Sequence, residues 1–216
     1  MQAEDRTIHF SAELIHGPAP FEQRALQKLY LELSESRTGG YDSTDFTNPA
    51  QPRFYSRRGA KTQSVAMFLP DRLLLLEEWA DTSFSDFLER VRVVAGPALG
   101  ARGVSRVLAH TGMVRSTFAL THFSDAREFL LDHACGQAGL NGPHFGRPVA
   151  VGGIRFVLPE SNEHKGAYHV TVESYRQSVN EVFVEVKGVF GRRMLELSDL
   201  KLVCANLQSV RDFVCG

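Results

Sequence analysis

Cysteine is scarce, tryptophan occurs once, and net charge is almost absent from this chain. The three cysteines, Cys135, Cys204 and Cys215, are too few and of odd number for a disulfide framework. They predict reduced thiols and a cytoplasmic protein. If Cys204 and Cys215 share a helix, eleven positions at about 1.5 Å each set them roughly 16 Å apart, too far to bond. Twenty-four basic and 25 acidic residues cancel. No global field therefore draws the chain to nucleic acid or to an anionic membrane surface. No apolar run approaches the roughly 20 residues that span a bilayer. Met1–Thr7 is polar and acidic, unlike a secretion signal.

Catalytic signatures are missing as well. There is no Gly-x-Ser-x-Gly elbow to present a nucleophilic serine. Ala-Cys-Gly around Cys135 is not a protease signature. Gly136-Gln-Ala-Gly-Leu-Asn-Gly lacks the lysine and the strand-to-helix setting of a phosphate loop. No cofactor is implied.

What the chain does have is alternation. Ala167–Tyr175 sets His169, Thr171, Glu173 and Tyr175 on one face against Tyr168, Val170, Val172 and Ser174 on the other. Val182–Phe190 sets Val182, Val184 and Val186 against Phe183, Glu185 and Lys187. With the polar turn Arg176–Glu181 between them, they read as an antiparallel pair with one wet face. Arg6–Ile15 alternates in the same way.

Taken in order, a strand over Arg6–Ile15 is followed by a helix over Phe21–Ser34, with Pro20 in its first turn. Tyr41–Arg58, polar and with Pro49 and Pro52, is an excursion or a short edge strand, with a further strand starting at Phe54 and Tyr55. Gln63–Leu69 and Arg72–Trp79 form a hairpin around Pro70–Asp71. Ser83 opens a helix whose apolar stripe runs to Gly96–Pro97. A long strand, Val104–Leu120, bends near Gly112. Ser124 caps a helix over Asp125–Ala134, Gly136–Gly153 is a glycine-rich loop or link, and Gly153–Leu158 is a strand. Ser198 caps the last helix, with Leu200, Val203, Leu207, Val210 and Val214 at helical spacing. Helices are too few to cover both faces of a parallel sheet. The prediction is an α+β fold, a mainly antiparallel sheet or sheets with helices mostly on one face. Its halves are residues 1–122 and 123–216, as two α+β units or one continuous domain, with no internal repeat evident.

Ser-Val-Ala-Met-Phe-Leu, then Leu-Leu-Leu-Leu-Glu-Glu-Trp, then Ser-Phe-Ser-Asp-Phe-Leu, then a long strand carrying Arg115, resembles a sporadically distributed family of uncharacterised bacterial proteins. The likeness covers roughly Gln63–Leu120. It implies no activity and transfers no catalytic residue.

Three constellations have the residue types of a chemical site. His133, Cys135 and His144 supply three ligands where a closed zinc site wants four, so no metal is expected. In the other reading, His133 ends a helix and Cys135 is buried filler. Arg53, Arg57, Arg58 and Lys61, interleaved with Phe54 and Tyr55, have the composition of a single-strand nucleic-acid patch, but the neutral chain argues for a solvated loop. His169, Glu173 and Tyr175, joined by Glu185 from the partner strand, are the candidate ligand-binding residues, with Glu173 as base and His169 as acid. A solvated sheet face is the plainer alternative. The expected function is a non-enzymatic interaction or regulatory protein whose partner is protein, itself or another, without membrane or nucleic acid. The alternative is a small-molecule-binding protein or enzyme with a pocket between sheet and helices, capped by Gly136–Gly153 and lined by His169, Glu173 and Tyr175.

Overall fold

One nine-stranded sheet runs through the molecule, and every strand pair in it is antiparallel. The structure is a computed structural model and describes residues 5–20, 22–36, 38–136, 147 and 149–215. The elements in chain order are β1 (Asp5–Ile15), α1 (Gln23–Ser34), β2 (Ser43–Asp45), β3 (Arg53–Arg57), β4 (Gln63–Leu69), β5 (Arg72–Glu78), α2 (Phe84–Gly100), β6 (Arg106–Val107) and β7 (Ala109–Ala119). They continue with α3 (Ala126–Glu128, extended by a π-turn over Phe129–Ala134), β8 (Gly153–Leu158), β9 (Ala167–Ser174), β10 (Glu181–Phe190), β11 (Leu195–Glu196) and α4 (Lys201–Cys215). The sheet order is β2-β3-β4-β5-β1-β7-β10-β9-β8. This is the expected α+β class.

The pattern of alternation decides which face the helices take. Phe10, Ala12 and Leu14 of β1 stand in register with Glu77, Leu75 and Leu73 of β5, and with Val114, Gly112 and His110 of β7. That face is buried and carries the main core. Phe10 packs on Phe84 and Phe87 of α2, with ring centres 5.0 and 5.6 Å away. Tyr30 of α1 meets Phe54 at 5.4 Å. Phe129, beside α3, joins Val172, Val182 and Val184 on the same face. All four helices therefore lie on one side, and the opposite face of the sheet has no described helix over it.

Close approach of α4 depends on two glycines. Gly112 and Gly188 face each other across β7 and β10. A Cβ on Gly112 would stand 2.4 Å from Leu207 Cδ2, and one on Gly188 2.5 Å from Val210 Cγ2. Leu207 and Val210 are almost fully buried there, so the helix rests directly on sheet backbone.

Divided before β7, and so earlier than residue 122, the chain falls into two halves that share a plan the sequence does not display. Strand, helix, three strands, helix describes both β1-α1-β3-β4-β5-α2 and β7-α3-β8-β9-β10-α4. In each, the first strand pairs with the last, and the two first strands pair with each other at the centre. β2 is an addition to the first half, laid on the outer edge of β3.

Local differences from expectation have physical causes. α2 passes through Pro97 to Gly100, because Ala98 and Leu99 are fully buried and their packing outweighs one lost backbone hydrogen bond. The long strand before Leu120 is divided at Leu108, and β6 leaves the main sheet to pair with β11. After α3 the turn widens, so the Cys135 N–H donates to the Leu130 carbonyl five residues back at 3.0 Å. Cys135 is exposed, contrary to its reading as buried filler. Cys204 and Cys215 both fall on α4. His144 and most of the Gly136–Gly153 loop lie outside the described residues. No described helix is long and apolar enough to cross a membrane.

Candidate functional site

The helix-free face is built by the complementary positions of the same strands. Its rows run across the sheet. One row reads Arg57, Gln63, Glu78, His9, Arg115, Glu185, Thr171, Arg155 from β3 to β8. Cross-strand partners of this row meet directly. Gln63 Nε2 donates to Glu78 Oε2 at 2.6 Å, and Arg115 Nε donates to Glu185 Oε2 at 2.7 Å. His9 stands between the two pairs in this row and is buried. Burial first, and then the Arg115 charge, lower its pKa to about 4, so it is neutral at pH 7.

His169, Glu173, Tyr175 and Glu185 all belong to this face or its margin. His169 faces Lys187 across β9 and β10, and Glu173 faces Phe183. Four positions along one strand separate His169 from Glu173 by about 13 Å. Glu185 is engaged by Arg115. Tyr175 lies beyond the strand end and stacks on Phe183, ring centres 6.3 Å apart. Burial raises its phenol pKa. The structure thus joins Glu185 to Arg115, and Tyr175 to Phe183, while His169 stands a row from Glu185. Among the described residues no group of three His, Cys, Asp or Glu side chains is placed to hold a metal.

The outer edge of the second half is the other conspicuous feature. Among the described residues β8 pairs only with β9, and Phe156, Val157 and Leu158 are 51, 56 and 40% exposed. Ile154, Phe156 and Leu158 fall on the helix side of the sheet, in register with Val172, Val170 and Tyr168. Tyr168 stacks on Phe213 of α4 at 5.1 Å, so apolar surface continues from the edge onto the helix.

The basic loop resolves into paired and unpaired groups. Phe54 is fully buried core and cannot stack on a ligand. Arg53 is held by Asp45 at 2.8 Å. Arg58 donates to Asp81, to Ser64 and to buried Glu77. Arg57 lies over the Tyr55 ring, 5.4 Å from its centre. Lys61 lies 4.6 Å from the ring centre of Trp79, and Arg6 lies 5.6 Å from it. A cleft of about 550 Å³ opens here, lined by Arg57, Lys61, Gln63, Glu78 and Trp79 among others. Trp79 has φ 48°, the left-handed region, and is the one described non-glycine residue with positive φ. A bulky side chain holds that conformation at a cost of roughly 1–2 kcal/mol. Nothing in the sequence marks Trp79 as a site residue, since handedness at a strand end leaves no trace in composition.

Glu77 is a second residue absent from the candidates that the sequence suggests. It is 1% exposed on the helix side of β5, where it accepts from Ser64 Oγ at 2.6 Å and Arg58 Nη2 at 3.0 Å, and pairs with Arg90 of α2. Its parity with Leu73 and Leu75 was the available signal.

No family model and no curated protein matches the chain.

Proposed function

We propose that the protein is a non-enzymatic interaction module that works as a homodimer, joined edge to edge through β8. The exposed apolar edge carries this reading. An unpaired strand presents backbone donors and acceptors that another strand satisfies. Natural edges are blunted by shortness, charge or proline. The opposite edge, β2, is three residues long, whereas β8 has six and a single charge, Arg155. The shared plan of the halves points the same way: β2 covers β3, and the corresponding position outside β8 holds no described strand.

Symmetry selects the register. A twofold axis normal to the sheet keeps each side chain on its own face, so facing residues have the same parity. An axis at Phe156 sets Ile154 opposite Leu158 and Arg155 opposite Val157. An axis at Arg155 would oppose two guanidinium groups. The first arrangement brings apolar groups together on the helix side, where Phe213 of each copy adds to the contact.

Light scattering and native mass spectrometry of the purified chain test the proposal. Twice the chain mass is expected, and Phe156→Glu, with unchanged circular dichroism, should be monomeric. A monomeric wild type, or a variant that stays dimeric, overturns it.

A further inference from the structure

We propose that the cleft at Trp79 binds a small ligand made of a flat heteroaromatic ring and a phosphate, the chemistry of a nucleoside monophosphate. This goes beyond self-association and concerns a different place: the cleft belongs to β3, β4 and β5, across the sheet from β8. Three features converge on it. Arg6, Arg57 and Lys61 make no ion pair among the described residues, and each lies against an aromatic ring. Nearby Arg53 and Arg58 are taken by carboxylates. The unpaired cations are therefore the ones left to hold an anion, and Arg57 and Lys61 line the cleft itself.

The second feature is the indole. Trp79 is half-buried in a backbone conformation that bulky residues avoid, at the wall of a cleft, and an outlier held there by its surroundings points to use. A ligand ring would stack on the indole and displace the Lys61 ammonium from it toward the anion. The third is Glu78. Its carboxylate lines the cleft beside Gln63 and would repel a bare anion close by, but it accepts hydrogen bonds from the exocyclic amine or ring N–H of a base. A volume of about 550 Å³ suits such a molecule.

Trp79 is the only tryptophan, so its fluorescence reports on this cleft without background. Adenosine monophosphate, adenosine and inorganic phosphate are titrated separately into the full chain at low salt. The nucleotide should give saturable quenching at a dissociation constant at least tenfold below those of the other two. Arg57→Ala with Lys61→Ala, both at exposed positions, should weaken the nucleotide at least tenfold with unchanged thermal stability. Calorimetry on the same samples supplies a second readout. Absence of saturable nucleotide binding overturns the proposal. So does adenosine or phosphate binding as tightly as the nucleotide, or a double variant that binds like wild type. None of these outcomes bears on the oligomeric state, so failure here and failure of the dimer are read apart.

Discussion

Glu77 is the residue on which the first half's interior depends most. Its carboxylate compensates Arg90 and Arg58, which reach it from α2 and from the β3–β4 turn. Removing one member of a buried ion group leaves the others uncompensated. Both arginines keep some access to water, which places the expected cost at the low end of the usual range. Glu77→Gln should destabilise by about 3 kcal/mol, read from urea denaturation. Three histidines set the response to acid. His9 and His110 are held at about 4, chiefly by burial, and burial also lowers His16. His16 accepts from Arg102 at Nε2, 3.3 Å away, with Nδ1 on the Gly17 carbonyl at 2.6 Å, an arrangement that needs the neutral ring. Folded pKa values below the unfolded value of 6.5 mean that stability is full above pH 6.5 and falls as pH drops toward 4. His9 and His110 should each withdraw on the order of 3 kcal/mol across that window. Urea midpoints measured from pH 8 to 4.5 check this. A flat profile below 6.5 would remove the histidines from the account.

At the scale of elements, α4 is placed by absence of side chain. The Gly112–Gly188 pair admits Leu207 and Val210, so a branched group at either position must push the helix outward. Gly188→Val is expected to cost about 2 or 3 kcal/mol, since its new carbons also meet the Phe190 ring. Thermal unfolding beside wild type measures it. β1, β9 and β10 are legible because polar and apolar residues alternate along them, and β4 and β5 because they are two apolar runs around the Pro70–Asp71 turn. β2 falls in the stretch that reads as an excursion or a short edge strand, but three residues carry no period to fix its bounds. The end of α2 was missed because proline signals a local loss, whereas burial of Ala98 and Leu99 is a tertiary gain. On the candidate site, the alternation sets His169 and Glu173 on one strand face, but as the lining of a pocket between sheet and helices they are misplaced, since that face is the one with no described helix over it; nor does the sequence hint that Arg115 takes Glu185, which needs the register of β7 against β10.

For the whole molecule, the repeated plan was invisible in the letters. The corresponding helices α2 and α4 share little beyond a Ser-Asp pair near their starts, Ser85–Asp86 and Ser198–Asp199. Topology is kept by which face is buried and which strands are neighbours, and many sequences satisfy those conditions. The join between the halves is the ladder of β1 on β7, from Asp5–Phe118 to Ile15–Ala109. Separately expressed residues 1–103 and 104–216 should therefore associate when mixed and recover the circular dichroism of the intact chain. Failure to form a one-to-one complex would show that the covalent link is required.

That central ladder also fixes an order of events during synthesis. β1 can close on β5 as soon as the first hundred residues have emerged, because both strands lie within that stretch. Its other edge must then wait for β7, and β7 in turn waits for β10, some seventy residues later in the chain. Throughout that interval the middle of the future sheet is its border, open to any passing strand. The nascent chain is thus most vulnerable at the place that becomes best protected in the finished protein.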